Sequence, residues 1–353
     1  MKICLVAAPL SGRSGVYRST RDLVSEARSR GLEWTGLIGL RSSAPDANEP
    51  TPEGIREWTF DARGQKGVTA LREYLSAAPE VVEADVVITL IPQSDVAFAR
   101  ASRSPNQMWV SFVRGAPWPA PGEQGRLKTS AQKLAVTRAM RRADDVWATT
   151  EVLANSFSSV RKAFLIPAGV PLKIPKRFTA PSPSGDIIWA GRLDTDKDPQ
   201  LFLDLMEDSG LQGKMFGAGP HQDRVSNALP PNVSLQGWVH PDQLWENAAA
   251  FLGTSTREAF GRSAVEAAVE GIPVVLHEEY GCAPLLYTDP ELRKKFVLRT
   301  REPGAWRAAM LTVVKDPHMW ARVSEHVREN ANNLSIEKSV DSVLARVESQ
   351  RSR

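Results

Sequence analysis

Ile187-Ile188-Trp189-Ala190-Gly191-Arg192-Leu193-Asp194-Thr195-Asp196-Lys197-Asp198-Pro199 is a short apolar run, a polar turn, and a proline opening a helical stretch that reaches Met206. Four apolar residues bounded by turn signals predict a buried strand, and proline suits the first helical position. The same unit recurs downstream. Lys214-Met215-Phe216, Val233-Ser234-Leu235, Ala250-Phe251-Leu252 and Pro273-Val274-Val275-Leu276 read as strands, with helices expected near Gln243 and from Arg262. Strands alternating with helices predict a parallel, doubly wound sheet.

Upstream the rhythm is the same. Lys2-Ile3-Cys4-Leu5-Val6-Ala7 is a first strand, and Val16, Thr20, Leu23, Val24 and Ala27 recur at helical spacing until Gly31. Leu32 to Leu40, Asp85 to Leu90, Met108 to Val113, Val146-Trp147-Ala148 and Ala163 to Ile166 follow as further strands. A Pro/Ser/basic stretch, Lys173 to Gly185, interrupts the pattern and reads as a linker. The expected organisation is a domain at 1–172, a linker at 173–185, a second domain at 186–334, and a helix at 335–353 with Val340, Val343, Leu344 and Val347 on one side.

A chain of 353 residues suffices for two such domains. Hydrophobic content of 42% and charged content of 24% exclude global disorder and fibrous proteins. No apolar run approaches a membrane span, and the N-terminus reads as a strand rather than a secretory signal, which predicts a cytoplasmic protein. Cys4 and Cys282 are too far apart in sequence to form a disulfide framework or a metal motif. The net charge of +3 hides an asymmetry: residues 1–177 hold 25 Lys and Arg against 17 Asp and Glu, and the rest 19 against 24. A basic first half suits an anionic partner, whether a phosphorylated acceptor, an acidic bilayer or nucleic acid, and equally suits a solvated Arg-rich surface. Arg138-Ala139-Met140-Arg141-Arg142 and Trp118 fit membrane or nucleic acid alike.

Four local patterns carry chemistry. Glu258-Ala259-Phe260-Gly261-Arg262-Ser263-Ala264-Val265-Glu266 places two carboxylates about 2.2 helical turns apart around a strand-to-helix turn. Amides at such a turn hold a diphosphate and the carboxylates hold sugar hydroxyls; alternatively Glu258 caps the helix and Glu266 is a surface residue. Arg192 and Lys197, after a strand, form a cation pair able to clamp a diphosphate, or surface ion pairs with Asp194 or Asp196. Lys214-Met215-Phe216-Gly217-Ala218-Gly219-Pro220 lacks the full dinucleotide fingerprint and is either a plain turn or a place of close approach to a base. Ser11-Gly12-Arg13-Ser14-Gly15 is a glycine-bearing turn of the kind that lets phosphate or sugar approach.

Taken in this order, the four patterns resemble the retaining glycosyltransferases of family 4, which have the GT-B fold. Leu235-Gln236-Gly237-Trp238-Val239 and Gly271-Ile272-Pro273-Val274-Val275 extend the resemblance over most of residues 185–280. It continues more loosely through the Gly15 loop, Ala143-Asp144-Asp145-Val146 and Ile166-Pro167-Ala168-Gly169-Val170, where Ala168 replaces the usual Asn. The resemblance implies two Rossmann-like domains facing a central cleft, with the C-terminal helix crossing back to the first domain. It further implies a nucleotide-sugar donor on the second domain and an acceptor on the first. Arg192 and Lys197 would hold the diphosphate, Glu266 the ribose, and Glu258 with the amides of Phe260 and Gly261 the transferred sugar. Gly217, Trp238 and Val239 would meet the base, and Gly15 the diphosphate. Arg13, Ser14 and Arg114 would contact acceptor or sugar, Arg114 standing where the family usually carries His.

No Asp-x-Asp element lies in a suitable place, and the five histidines lack ligand spacing, so neither metal nor other cofactor is expected. The acceptor reading favours an anionic glycolipid or polysaccharide precursor at the inner membrane face, with modified DNA bases as the alternative. Two rivals are weighed. An NAD-dependent oxidoreductase needs a glycine fingerprint in the first turn and an acidic end to the second strand, which here closes Leu40-Arg41-Ser42. A non-catalytic nucleotide-sugar or nucleic-acid binding module has no evident reason to carry Arg192, Lys197, Glu258 and Glu266 together.

Overall fold

The computed structural model describes residues 1–44, 50–119, 124–172, 182–239 and 243–352, which divide into two units. The first comprises Met1–Pro171 with Ile336–Arg353, the second Leu172–Ser335. Most of the expected linker, 173–181, lies outside the described residues; 182–185 make a turn closed by the Gly185 amide donating to the Ser182 carbonyl, 3.0 Å.

The first unit holds a seven-stranded sheet. Its strands are β1 (Ile3–Leu10), β2 (Trp34–Leu40), β3 (Ile55–Thr59), β4 (Val86–Thr89), β5 (Met108–Val113), β6 (Asp145–Ala148) and β7 (Phe164–Leu165). They run in the order β3-β2-β1-β4-β5-β6-β7, with every pairing parallel. The second unit repeats the plan with β8 (Asp186–Ala190), β9 (Gly213–Phe216), β10 (Val233–Gly237), β11 (Ala248–Gly253), β12 (Val274–His277) and β13 (Val297–Leu298), ordered β10-β9-β8-β11-β12-β13. In both sheets the winding reverses beside the first strand, between β1 and β4 and between β8 and β11. Loops leaving the carboxyl ends of the strands diverge there, and open α/β sheets bind ligands in the crevice so formed. Both domains are thus doubly wound and Rossmann-like.

Burial explains the central strands. Residues 3–8 of β1 and all of β6, β11 and β12 are buried, as continuous apolar runs demand when helices cover both faces. β3 and β13 did not stand out in the sequence because they are half-buried edge strands, and β3 carries Arg56 and Glu57. The helix expected near Gln243 falls partly on 240–242, outside the described residues; Gln243 is in a 3-10 turn, residues 244–247 make turns, and Asn247 adopts a left-handed φ of 55° as the chain enters β11.

The helix Ile336–Arg351 joins the first unit. Its buried Val340, Val343 and Val347 enter the same core as Ile3, Trp34 and Trp147. The Ile336 amide donates to the Val170 carbonyl at 2.9 Å and the Ser339 hydroxyl to that of Pro167 at 2.7 Å. Arg346 Nε donates to Asp145 Oδ2 at 2.7 Å, an oxygen that also accepts Trp147 Nε1 at 2.7 Å. Val343→Asp would bury an unpaired carboxylate in this seam and is expected to cost roughly 3 kcal/mol or more. Urea unfolding followed by tryptophan fluorescence checks it, the expected result being a midpoint well below that of the parent chain.

Candidate functional site

In the second unit, the two loops at the winding reversal are hydrogen-bonded to each other. The buried Thr254, just past β11, places its hydroxyl 2.9 Å from the carbonyls of Lys197 and Asp198 and accepts the Trp189 indole N–H at 2.9 Å. The Thr256 amide donates to the Asp196 carbonyl at 2.9 Å. Asp194 Oδ1 caps the short turn Thr195–Lys197 by accepting the Lys197 amide at 3.1 Å. Asp198, at a left-handed φ of 46°, then turns the chain into Pro199–Met206.

This arrangement brings Lys197 Nζ onto Glu258 Oε2 in an ion pair, joining residues 61 positions apart in the chain. Arg192 pairs with Asp194 and keeps a side chain 65% exposed. Arg192 and Lys197 are thus each paired with a carboxylate within the protein.

The turn carrying Glu258 is pinned from behind. The Gly281 amide donates to the Glu258 carbonyl at 2.9 Å and the Cys282 amide to that of Phe260 at 2.7 Å. Gly261 has φ of 97°, and a Cβ there would lie 2.5 Å from Tyr280 Cδ1, so glycine is needed both for conformation and for room. It precedes the helix Arg262–Val269, and among the described residues the amides of Phe260 and Gly261 have no hydrogen-bond partner. Such amides, at the positive end of a helix, suit an anion. Burial, reinforced by the Glu258 charge, pushes the Tyr280 phenol and the Cys282 thiol well up, so both stay protonated; the Tyr280 hydroxyl lies 3.1 Å from Ser255 Oγ.

Glu266, expected to be either a ribose ligand or a surface residue, is mostly buried on the helix and accepts Arg262 Nε at 2.8 Å. Gly217 has a packing duty that the sequence did not reveal: its φ is 129°, and a Cβ would collide with the Gly191 carbonyl oxygen. Gly219 likewise stacks on Leu193, a Cβ falling 2.5 Å from that carbonyl oxygen. The two glycines seat the loop after β9 on the loop after β8. The Gly217 amide donates to the Gly237 carbonyl at 2.7 Å, which sets Gly217 beside Trp238, a 67% exposed side chain, and Val239. Neither Glu258 nor Glu266 caps the helix; Gly261 stands at that position.

In the first unit, Arg13 and Ser14 lead into the helix Gly15–Ser29, and a Cβ at Gly15 would meet nothing within 4 Å. Arg13 is partly engaged: its Nε approaches Tyr17 OH at 3.4 Å and its Nη2 lies 3.8 Å from Glu57 Oε2. Tyr17 OH donates to Glu57 Oε1 at 2.8 Å, and the buried Arg21 joins both. The signal missed in the sequence was Glu57, hidden in an edge strand. Arg114, just past β5, is buried, with its guanidinium carbon 4.8 Å from the centre of the Phe112 ring. Among the described residues no group of three or more His, Cys, Asp or Glu is placed to hold a metal.

One further group was not anticipated. Asp95, in the short helix Pro92–Phe98 beside the winding reversal of the first sheet, is buried and accepts hydrogen bonds from Thr89 Oγ1 and, at 3.0 Å, from Ser111 Oγ. Burial outweighs these bonds and pushes its carboxyl up to about 7.

Tandem doubly wound domains of this kind define the GT-B fold, and solved structures of that fold superpose along the whole chain. HepE from Anabaena, solved with UDP and glucose, is 17% identical, with 99% of this chain and 100% of that one covered at a TM-score of 0.76. Sucrose-phosphate synthase from Thermosynechococcus elongatus is 19% identical, with coverage of 99% and 98% and a TM-score of 0.74. The pneumococcal O-GlcNAc transferase GtfA, solved with UDP and GlcNAc, is 11% identical, with coverage of 99% and 99% and a TM-score of 0.70. Within that fold, residues 172–333 match the family model of the glycosyl transferases group 1, so the second domain carries the family's sequence pattern. No curated protein matches the chain.

The Asp95 shift has a definite sign. A carboxyl whose folded value, about 7, exceeds its unfolded value near 4 favours the fold when protonated. That contribution is whole below pH ~4 and is lost as pH rises toward 7, by on the order of 4 kcal/mol at most. Chemical denaturation across this range should show stability falling with pH, and Asp95→Asn should flatten that slope.

Proposed function

We propose that the chain is a retaining glycosyltransferase, moving a sugar from a nucleotide-diphosphate donor to a hydroxyl of an anionic glycolipid or polysaccharide precursor. The observation that carries the reading is the meeting of Lys197 and Glu258 beside the open amides of Phe260 and Gly261, at the winding reversal of the second sheet. The group 1 family match over the same domain, and the UDP and sugar bound by HepE and GtfA, support a nucleotide-sugar donor.

Breaking a sugar–diphosphate bond concentrates negative charge on the departing phosphate oxygen. Fixed cations and amides aimed at that oxygen lower the barrier most, because they need no reorganisation as the charge develops. In this reading the diphosphate takes Lys197 from Glu258 and Arg192 from Asp194. Glu258, relieved of its partner, then accepts hydrogen bonds from the sugar hydroxyls and orients the ring. The acceptor attacks from the face the phosphate leaves, and that phosphate takes its proton, so the anomeric configuration is retained. Glu266 is assigned to the ribose, and Gly217, Trp238 and Val239 to the base. In the first domain Gly15 is assigned to phosphate approach, and Arg13, Ser14 and Arg114 to acceptor or sugar. Charge neutralisation is assigned to the two cations, without a metal. A peripheral place at the inner membrane face suits such an acceptor.

Thermal-shift measurements with UDP-, GDP-, ADP- and TDP-sugars identify the donor, since a ligand of the folded state alone raises the melting temperature. Arg192→Ala and Lys197→Ala are each expected to lower turnover on the order of 10²-fold. Near-normal turnover in both would overturn the clamp, and donor binding without transfer to any acceptor would mark a non-catalytic module. Activity undiminished by a chelator and a product of unchanged anomeric configuration by NMR are the further expected results.

A further inference from the structure

Asp198, the residue after Lys197, keeps a left-handed φ of 46° although it is not glycine. Such a conformation persists where the surroundings hold it. Its carboxylate makes no capping bond to the helix Pro199–Met206 that it precedes, and its side chain is only 8% exposed. A buried carboxylate of this kind needs a cation. Arg301, 103 positions further on, supplies it through Nη2. With its carbonyl accepting the Thr254 hydroxyl, Asp198 is held from two sides, by backbone and by side chain. His277, at the end of β12, lies within electrostatic reach of both members of the pair. Burial holds its ring below the ordinary value, so it is uncharged at neutral pH and leaves Asp198 to Arg301.

The loop that carries Arg301 has its own anchors. It leaves β13, and the Thr300 carbonyl accepts the indole N–H of the fully buried Trp306 at 2.7 Å, while the Thr300 hydroxyl accepts the Glu302 amide at 3.0 Å. The helix that follows, Pro303–Lys315, grips the other end of Pro199–Met206: Arg307 Nη2 donates to the carbonyls of Asp204 at 2.9 Å and Glu207 at 3.0 Å. Two arginines of one segment thus hold the two ends of one helix, and only Arg301 holds the end that adjoins Lys197.

We infer that Arg301 is a positioning residue for Lys197: by fixing Asp198 in its left-handed turn, it fixes the direction from which the preceding lysine meets Glu258 and a diphosphate. Arg301 acts through Asp198 rather than on the ligand. What Lys197 binds rests on the donor reading above; the hold of Arg301 on the lysine's loop does not.

Amide hydrogen exchange on the full chain reads the loop without a ligand. Arg301→Met should speed exchange at the Lys197 and Thr256 amides at least about tenfold, since their acceptors, Asp194 Oδ1 and the Asp196 carbonyl, belong to the loop that Asp198 ends. Arg307→Met should leave those two amides as in the parent chain while lowering the melting temperature. Titration calorimetry with UDP, GDP, ADP and TDP reads the lysine. The tightest of the four should bind at least about tenfold more weakly to Arg301→Met and equally well to Arg307→Met, and Arg301→Lys should recover most of the loss. Removing the arginine alone leaves Asp198 buried and bare. Asp198→Asn with Arg301→Met removes both charges at once, keeps the net charge, and retains a side chain that tolerates the left-handed turn, so it is measured alongside and should show the same pattern. Unchanged exchange at Lys197 and Thr256, exchange raised uniformly across the domain, or parent-like affinity in Arg301→Met and the paired variant would each overturn the inference. If the parent chain binds none of the four nucleotides, the donor reading falls, and the exchange measurement alone decides for or against Arg301.

Discussion

The candidate donor site rests on one buried hydroxyl. Thr254 joins the loop after β8 to the loop after β11, and every charge-bearing group of the site hangs from one or the other. The Thr254 hydroxyl is fully satisfied: its single proton is shared between the carbonyls of Lys197 and Asp198, and its oxygen accepts an indole N–H. Because Thr254 is fully buried, a missing partner would leave buried polar atoms bare, which costs more than the bond itself is worth. The loops are thereby tied together, which brings Lys197 and Glu258 to one place.

The electrostatics of the site follow from that arrangement. Arg192 lies in solvent, so its pair with Asp194 is weak and easily exchanged for a phosphate. Lys197 and Glu258 are more enclosed, with side chains 23% and 22% exposed, and are paired with each other. In the proposed reading, a donor that brings both an anion and hydroxyl groups satisfies the two sides at once.

Much of this was legible in the chain. Continuous apolar runs marked the central strands of both sheets because burial on two faces leaves no room for alternation, and Gly261 announced a turn before a helix. The edge strand β3 was not legible, since its half-buried face carries charge, and with it went the partner of Arg13 and Arg21. Asp95 gave no signal because its carboxyl is satisfied by Thr89 and Ser111, residues that meet it only once the sheet has formed. Gly217 read as a plain turn or a ligand-facing glycine, and its close packing on the Gly191 carbonyl was not legible from the sequence. Contacts across the winding reversal join residues tens of positions apart, and local pattern carries no information about them.

The return of Ile336–Arg351 to the first unit makes the second domain an insertion within the first. Residues 172–335 must therefore leave the ribosome before the first domain can gain its last helix. At ordinary elongation rates that is a delay of roughly ten seconds or more. Meanwhile the apolar seam that receives Val340, Val343 and Val347 lacks its last helix, whereas the inserted domain has its whole sheet within residues 186–298.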